Sequence, residues 1–580
     1  MNRPLLLVLT LVALGAAPAP LVVGSVRDQN GAPIAGAAVH LLGEAPSAGA
    51  RTAADGTFAI PGAGSAVEIR CDYCRPTHAP VAADGTVTAI VLRYDAVRLD
   101  GPSHADLANL PYTHAESDVS LTPWVVLEQN GNPLFGTTLH DRSISTVGGL
   151  LVLDGVPDYN SADGWNTYTT IAYNSAADVD VERAPQAYEY GNVAGAGTFS
   201  VTTTGGAPIV AAGSSVIGGL AVNGTDAGAF GYSSDGSGTR SRGTAVFALP
   251  LPDATLHVAL AAGAGQDISG NAGRLDSSFS SYRLAYERTS GTDVYASLTG
   301  DRGTDGFTSP LFNSDDLWSD FDARVGVRSR AVVAPFAEIA THDSAGWFWA
   351  PAYSPYIAGT IDQSRAFGGV NAALPWVTAN VAYGVDDVRF VNAYPEPGTT
   401  STTGNDASAT LDLHPTPSWD LQASTSSGYL LQTIFGAYNA SEAAVAPLTP
   451  MSSDELDLAY QDERRVRVGL TSFGTRSSSI NDTSAGAFVA WQIAPSVSLR
   501  TWWLEVHPQT GSAQSVGSAW LTTNTGAVRF DVIWRRDLYD LAGNAHLDGA
   551  ISGPINVHAR WFAQTGQFAH TRLTNVGIRF

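Results

Sequence analysis

Gly148-Gly149-Leu150-Leu151-Val152-Leu153-Asp154-Gly155-Val156-Pro157 is the stretch whose reading decides the fold. A run of Leu and Val closed by Asp-Gly describes a buried strand entering a tight turn, where glycine supplies a positive φ and proline ends the ladder. Downstream, Asp178-Val179-Asp180-Val181-Glu182-Arg183-Ala184-Pro185 alternates as a second strand. Tyr190-Gly191-Asn192-Val193-Ala194-Gly195-Ala196-Gly197 then supplies small residues that let backbones approach closely before Phe199 and Val201 resume the alternation. Either stretch alone fits any α/β or all-β domain with glycine-bearing turns. Their order, and the half of the chain that follows, narrow the choice.

From residue 206 to 580 one pattern repeats. Phe321, Ala323, Val325 and Val327 alternate with Asp320, Asp322, Arg324 and Arg328; Ile555, Val557, Ala559 and Trp561 alternate with Asn556, His558 and Arg560. One face suits lipid and the other is charged, the period of a membrane barrel strand with a wet interior. A soluble sandwich alternates too, but its polar face looks outward and its strands are usually shorter. Pro252-Asp253-Ala254 and Ala494-Pro495-Ser496 read as tight turns between paired strands, and Ser344 to Ile357 and Tyr438 to Asp454 as long loops at the other end. About 22 segments fit the ~10 residues that cross a membrane as a strand. A barrel of that size encloses a lumen that must be plugged.

In this order the stretches resemble the plug and barrel of TonB-dependent outer-membrane receptors. The expected fold is all-β dominated: a 22-stranded antiparallel transmembrane β-barrel at 206–580, an internal α+β plug at 105–205 and an N-terminal β-sandwich. The resemblance assigns plug-motif positions to Arg142, Asp154, Gly155, Glu182, Arg183, Tyr190 and Gly191. Arg142-Ser143 departs from the usual Arg-Gly, and Ala184-Pro185 from the usual Gly-Pro. It implies import of a scarce nutrient (a ferric siderophore, cobalamin or a glycan), a small-molecule or glycan ligand, and a TonB-type energy-coupling protein that pulls on the plug. It also implies outer-membrane lipid around the barrel. The alternative is a plugged barrel that no longer transports and serves as a surface-binding or structural component.

Residues 1–20 read as an export signal, with Arg3, an apolar core from Leu5 to Leu14 and small residues from Gly15 to Ala19. Residues 21–93, with Asn30-Gly31, Asp55-Gly56 and Asp84-Gly85 as hairpin signals, resemble the carboxypeptidase regulatory-like β-sandwich. Its Cys71 and Cys74 are the two cysteines of the chain. A C-x-x-C pair serves as a redox couple, as half a zinc site or as a local disulfide. The missing second ligand pair and the oxidising periplasm favour the disulfide. The linker 94–104 holds Tyr94-Asp95-Ala96-Val97-Arg98-Leu99, an acidic-then-apolar segment read as the contact for the TonB-type protein, although its match to the family's box is poor. At the other end Val576, Ile578 and Phe580 alternate to a terminal aromatic, which resembles the signal read by the barrel-assembly machinery.

The formal charge of -23, with 54 carboxylates against 31 basic residues, argues against a nucleic-acid partner. Neither a G-x-S-x-G elbow, an H-E-x-x-H pair nor a Walker loop occurs, so the chain is read as a non-enzyme with no metal or cofactor. His104, His114 and His140 are read as loop or plug-surface residues.

Overall fold

The computed structural model describes most of residues 21–578. Outside the description lie 1–20, 29–32, 42–49, 63, 65, 72–76, 83, 92–101, 103–105, 107–118, 120, 130–136, 143–149, 154–155, 159–175, 183–197, 204–209, most inter-strand connections beyond 212, and 579–580. From 202 to 244 and from 537 onward the description is almost wholly of the backbone.

The N-terminal unit packs a sheet of β4 (Thr57–Pro61), β1 (Leu21–Asp28) and β7 (Thr86–Val91) on one of β3 (Ala50–Arg51), β2 (Ala38–Leu41), β5 (Ala66–Arg70) and β6 (Thr77–Pro80). Val26, Val39, Leu41, Phe58, Ile60, Val67 and Ile69 fill the space between them. Asp55 Oδ1 accepts hydrogen bonds from the Thr57 amide and hydroxyl, Asp84 does the same for Thr86, and Gly56 and Gly85 both sit at φ +80°. These turns were expected to close hairpins. They instead carry the chain from one sheet to the other, since β3 pairs with β2 and β4 with β1. An Asp-Gly-Thr sequence specifies a tight reversal; which edge receives the outgoing strand is settled by the core.

A second sheet runs β11 (Val156–Asp158), β10 (Leu150–Leu153), β13 (Thr198–Thr203), β12 (Ala176–Glu182), with β10 and β13 parallel. Leu153 pairs with Val156 across Asp154-Gly155, which lie outside the described residues. Pro157 does not end the ladder: it sits opposite Val152, on an edge strand, where the missing N–H costs no sheet bond. Among the described residues of this unit Asp106 and Val119 are helical, and their neighbours at 103–105, 107–118 and 120 lie outside the description.

The wall is the greater part of a 24-stranded sheet. It holds the strands from β14 (Val210–Ala212) to β35 (Arg572–Ile578), each antiparallel to the next in sequence, and closes where Ala212 pairs with Gly577. The hairpin β8 (Val125–Gln129) and β9 (Thr137–Asp141) joins this sheet from inside through β32 (Arg529–Tyr539). The alternation has the sense a membrane barrel requires. Ile339, Leu470 and Val381 face outward with 65%, 59% and 59% of their surface exposed, while Asp320, Arg324, Glu338, His342 and Arg365 are buried on the inner side. Ser344 to Ile357 is no long loop: β22 (Val333–Ala350) and β23 (Ser354–Leu374) run through most of it. The second expected loop shrinks as well, because β27 (Leu448–Gln461) takes in its last residues. Aromatic and small residues that read as loop continue the two-residue period, so the ladder extends through them.

Candidate functional site

The inner unit is held against the wall by two apolar patches and two ionic clamps. Val119, Leu121, Val125, Leu139, Leu151, Val179, Phe199 and Val201 pack with Trp520 and Ile533 of the wall. Trp124 and Val126 pack with Phe488, Trp502, Leu504 and Val506, the Trp124 and Phe488 rings 5.1 Å apart. Burying this surface supplies most of the adhesion, at about 25 cal/mol per Å². The clamps supply position.

The deep clamp centres on Arg142, whose side chain is 0% exposed. Its Nη1 meets Glu455 Oε1 at 2.6 Å and Asp457 Oδ2 at 2.9 Å, and its Nη2 donates to Asp141 Oδ2 at 2.7 Å. The Phe473 ring lies 5.2 Å below the guanidinium carbon, and Ser484 Oγ donates to the Arg142 carbonyl at 2.7 Å. Arg142 has φ +54° and Trp124, whose carbonyl accepts the Arg142 amide, has φ +67°. A non-glycine residue in the left-handed region persists only where its surroundings over-determine it. Here one guanidinium sits among carboxylates from both bodies.

The mouth clamp lies where the chain enters the barrel. Asp106, 2% exposed, accepts from Arg500 Nη2 at 2.6 Å and from Arg529 Nη2 at 2.7 Å. Arg529 Nε also donates to Asp531 Oδ2 at 2.7 Å, and Asp531 Oδ1 accepts the indole N–H of Trp520 at 2.9 Å. Arg500 stacks over Trp520, 4.5 Å from the ring centroid. Both arginines project from the ends of strands β30 (Val497–His507) and β32 that meet the short turns, 494–497 and 524–529.

Of the motif positions expected from sequence, Arg142 is in the deep clamp, and Glu182 ends β12 opposite Thr198. Asp154, Gly155, Arg183, Tyr190 and Gly191 lie outside the described residues, as do Tyr94 to Leu99, Cys74 and Phe580. Cys71 is buried in the sandwich and disulfide-bonded. Val576 and Ile578 lie on β35, paired with Val557 and Ile555. His140 is buried on β9 instead of lying on a surface. Sequence reasoning missed Asp106, Arg500, Arg529, Glu455 and Asp457. The four wall residues carried no signal beyond a charge at an inward-facing strand position, and Asp106 lies on no strand.

No protein-family model matches this chain, and no curated protein sequence does. Solved structures do. The alcaligin outer-membrane receptor FauA of Bordetella pertussis is 13% identical, with 86% of this chain and 97% of that one covered and a TM-score of 0.62. The ferric citrate transporter FecA in its unliganded form is 13% identical, with 83% and 96% covered and a TM-score of 0.65. The FrpB iron transporter of Neisseria meningitidis is 10% identical, with 83% and 98% covered and a TM-score of 0.65. The likeness is one of fold: this chain is built as those outer-membrane receptors and transporters are.

Proposed function

We propose that the chain is a TonB-dependent outer-membrane transporter: a 22-stranded transmembrane barrel, a plug at 105–205 and a periplasmic carboxypeptidase regulatory-like sandwich. It imports a scarce nutrient, such as a ferric siderophore, cobalamin or a glycan. The carrying observation is the double ionic anchoring of the inner unit. An inner domain meant as a permanent stopper is best held by apolar contact alone, because a buried ion pair adds little net stability over a hydrophobic one. Charged clamps give a geometry that holds one position and releases under load, as alternating between two arrangements requires.

The coupling segment in this reading is Tyr94 to Leu99, a few residues before Asp106. A partner that adds a strand there would apply its pull directly to the mouth clamp. Phe580, with Val576 and Ile578, addresses the chain to the barrel-assembly machinery, and Cys71 pairs with Cys74. Deleting 94–99 should abolish energy-dependent uptake while leaving surface binding and barrel assembly intact. Absence of any uptake that discharging the proton gradient collapses would replace transport by the scaffold reading.

A further inference from the structure

The turn between β25 (Gly398–Thr416) and β26 (Trp419–Leu431) gathers a third polar cluster, separate from both clamps. The register between the two strands slips between Leu413 and Thr416, an irregularity that re-aims side chains at the end of the ladder. There Asp412, His414 and Asp420 come together, each offering one ligand atom with all three within 4.8 Å of one another. His414 Nε2 is 3.2 Å from Asp412 Oδ2, and its Nδ1 is 3.0 Å from Asp420 Oδ1. Arg467 Nη2 approaches the other oxygen of Asp420 at 3.6 Å. Asp412 Oδ1 and His414 Nδ1 are both shielded from solvent, yet neither has an aligned hydrogen-bond partner among the described residues. His414 thus lies between two carboxylates, one ring nitrogen facing each.

The sandwich lies close to this turn. On the outer face of its three-stranded sheet Leu21, Val23, Thr57 and Thr86 are exposed, whereas on the outer face of the other sheet His40, Glu68, Arg70 and His78 are partly or wholly covered. Burial lowers the proton affinity of His78, Glu68 opposes it, and His414 of the barrel adds to the lowering, so the two imidazoles are within electrostatic reach. The cluster itself stays partly open to water, its three side chains 21%, 33% and 37% exposed.

We propose that Asp412, His414 and Asp420 form a binding site for a divalent first-row transition-metal ion at the short-turn mouth of the barrel. One imidazole with two carboxylates suits zinc, nickel, cobalt or copper; the imidazole argues against magnesium or calcium, which take oxygen donors. One ring nitrogen takes the metal in place of the proton it shares with a carboxylate, so binding releases a proton.

The test is titration of zinc into the full-length folded protein in detergent, by calorimetry. About one equivalent should bind, with affinity at least about tenfold lower in His414→Ala and in Asp412→Asn/Asp420→Asn, as ligand loss commonly costs. Cobalt should give a visible ligand-field spectrum that His414→Ala abolishes. Heat-modifiable migration in gels checks that each variant is a folded barrel. Absence of stoichiometric zinc, or binding that His414→Ala leaves unchanged, overturns the proposal, including the case in which zinc is held by reduced Cys71 and Cys74.

Discussion

The two clamps have opposite polarity. At the mouth the inner unit offers a carboxylate, Asp106, to two arginines of the wall; deep in the lumen it offers an arginine, Arg142, to two carboxylates of the wall. The wall arginines at the mouth keep 14% and 10% of their side-chain surface exposed, whereas Arg142 has none. An ion pair near water is screened and partly resolvated when it opens, and one out of water is not. The mouth clamp, nearest the linker, is therefore the one expected to yield first, and the deep clamp the one that returns the unit to register.

Substitution at the deep clamp should have the largest effect. Arg142→Ala leaves Asp141, Glu455 and Asp457 without their shared cation, a loss of about 3–5 kcal/mol typical of breaking a buried pair. Proteolysis of the inner unit in the folded barrel should accelerate strongly. Arg142→Lys should recover only part of the protection, because an ammonium cannot reproduce the planar fork. Protection equal to the parent protein in both variants would mean that the apolar patches alone hold the unit.

At the mouth Asp106→Asn should cost less, about 1.5–3 kcal/mol, since Arg529 keeps Asp531 and Arg500 keeps the Trp520 face. The clamps share no residue, so the effects of Asp106→Asn and Arg142→Ala on protection should add. A strong departure from additivity would merge the two clamps into one cooperative lock. Salt is a further discriminator: raising ionic strength should loosen the mouth before the lumen.

The smallest effect belongs to a charged cluster away from the lumen. Burial opposes ionisation of Glu68, but Arg70 at 2.8 Å and His40 at 3.1 Å hold its carboxyl well below the usual range. A depressed folded value means the stabilisation is present above the unfolded value near 4.5 and is lost as pH falls through the folded one. Glu68→Gln should remove about 1 kcal/mol at neutral pH and flatten the acid limb of sandwich unfolding. An acid limb identical in the variant would place that sensitivity elsewhere, at Asp55 or Asp84, whose carboxyls Thr57 and Thr86 also hold low.

Period-two alternation is local. Each residue's face follows from its neighbour's, which is why the strands around Phe321 and Val325, the Asp-Gly turn after Leu153 and the short turn at Pro495 were legible one stretch at a time. Where a local rule was asked a non-local question it erred. Asp55-Gly56 specified a reversal but not the sheet that receives β4, and Pro157 signalled an end of pairing although an edge strand tolerates it. Trp347 and Trp349 looked like loop residues yet continue β22.

Arg142 stood out in the chain, but its partner Asp457 lies 315 residues away, and Asp106 meets Arg529 over 423. Asp412, His414 and Asp420 lie within one short stretch and still passed unnoticed, because only the slipped register at the β25–β26 turn turns them toward one another. Sequence by itself determined the strands, the turns and which residues could face lipid, since those follow from backbone geometry and side-chain polarity at fixed spacing. Only closure of the wall around the inner unit decided which inward charges meet: pairing across hundreds of residues is set by the curvature and register of the whole sheet, and no local period encodes that.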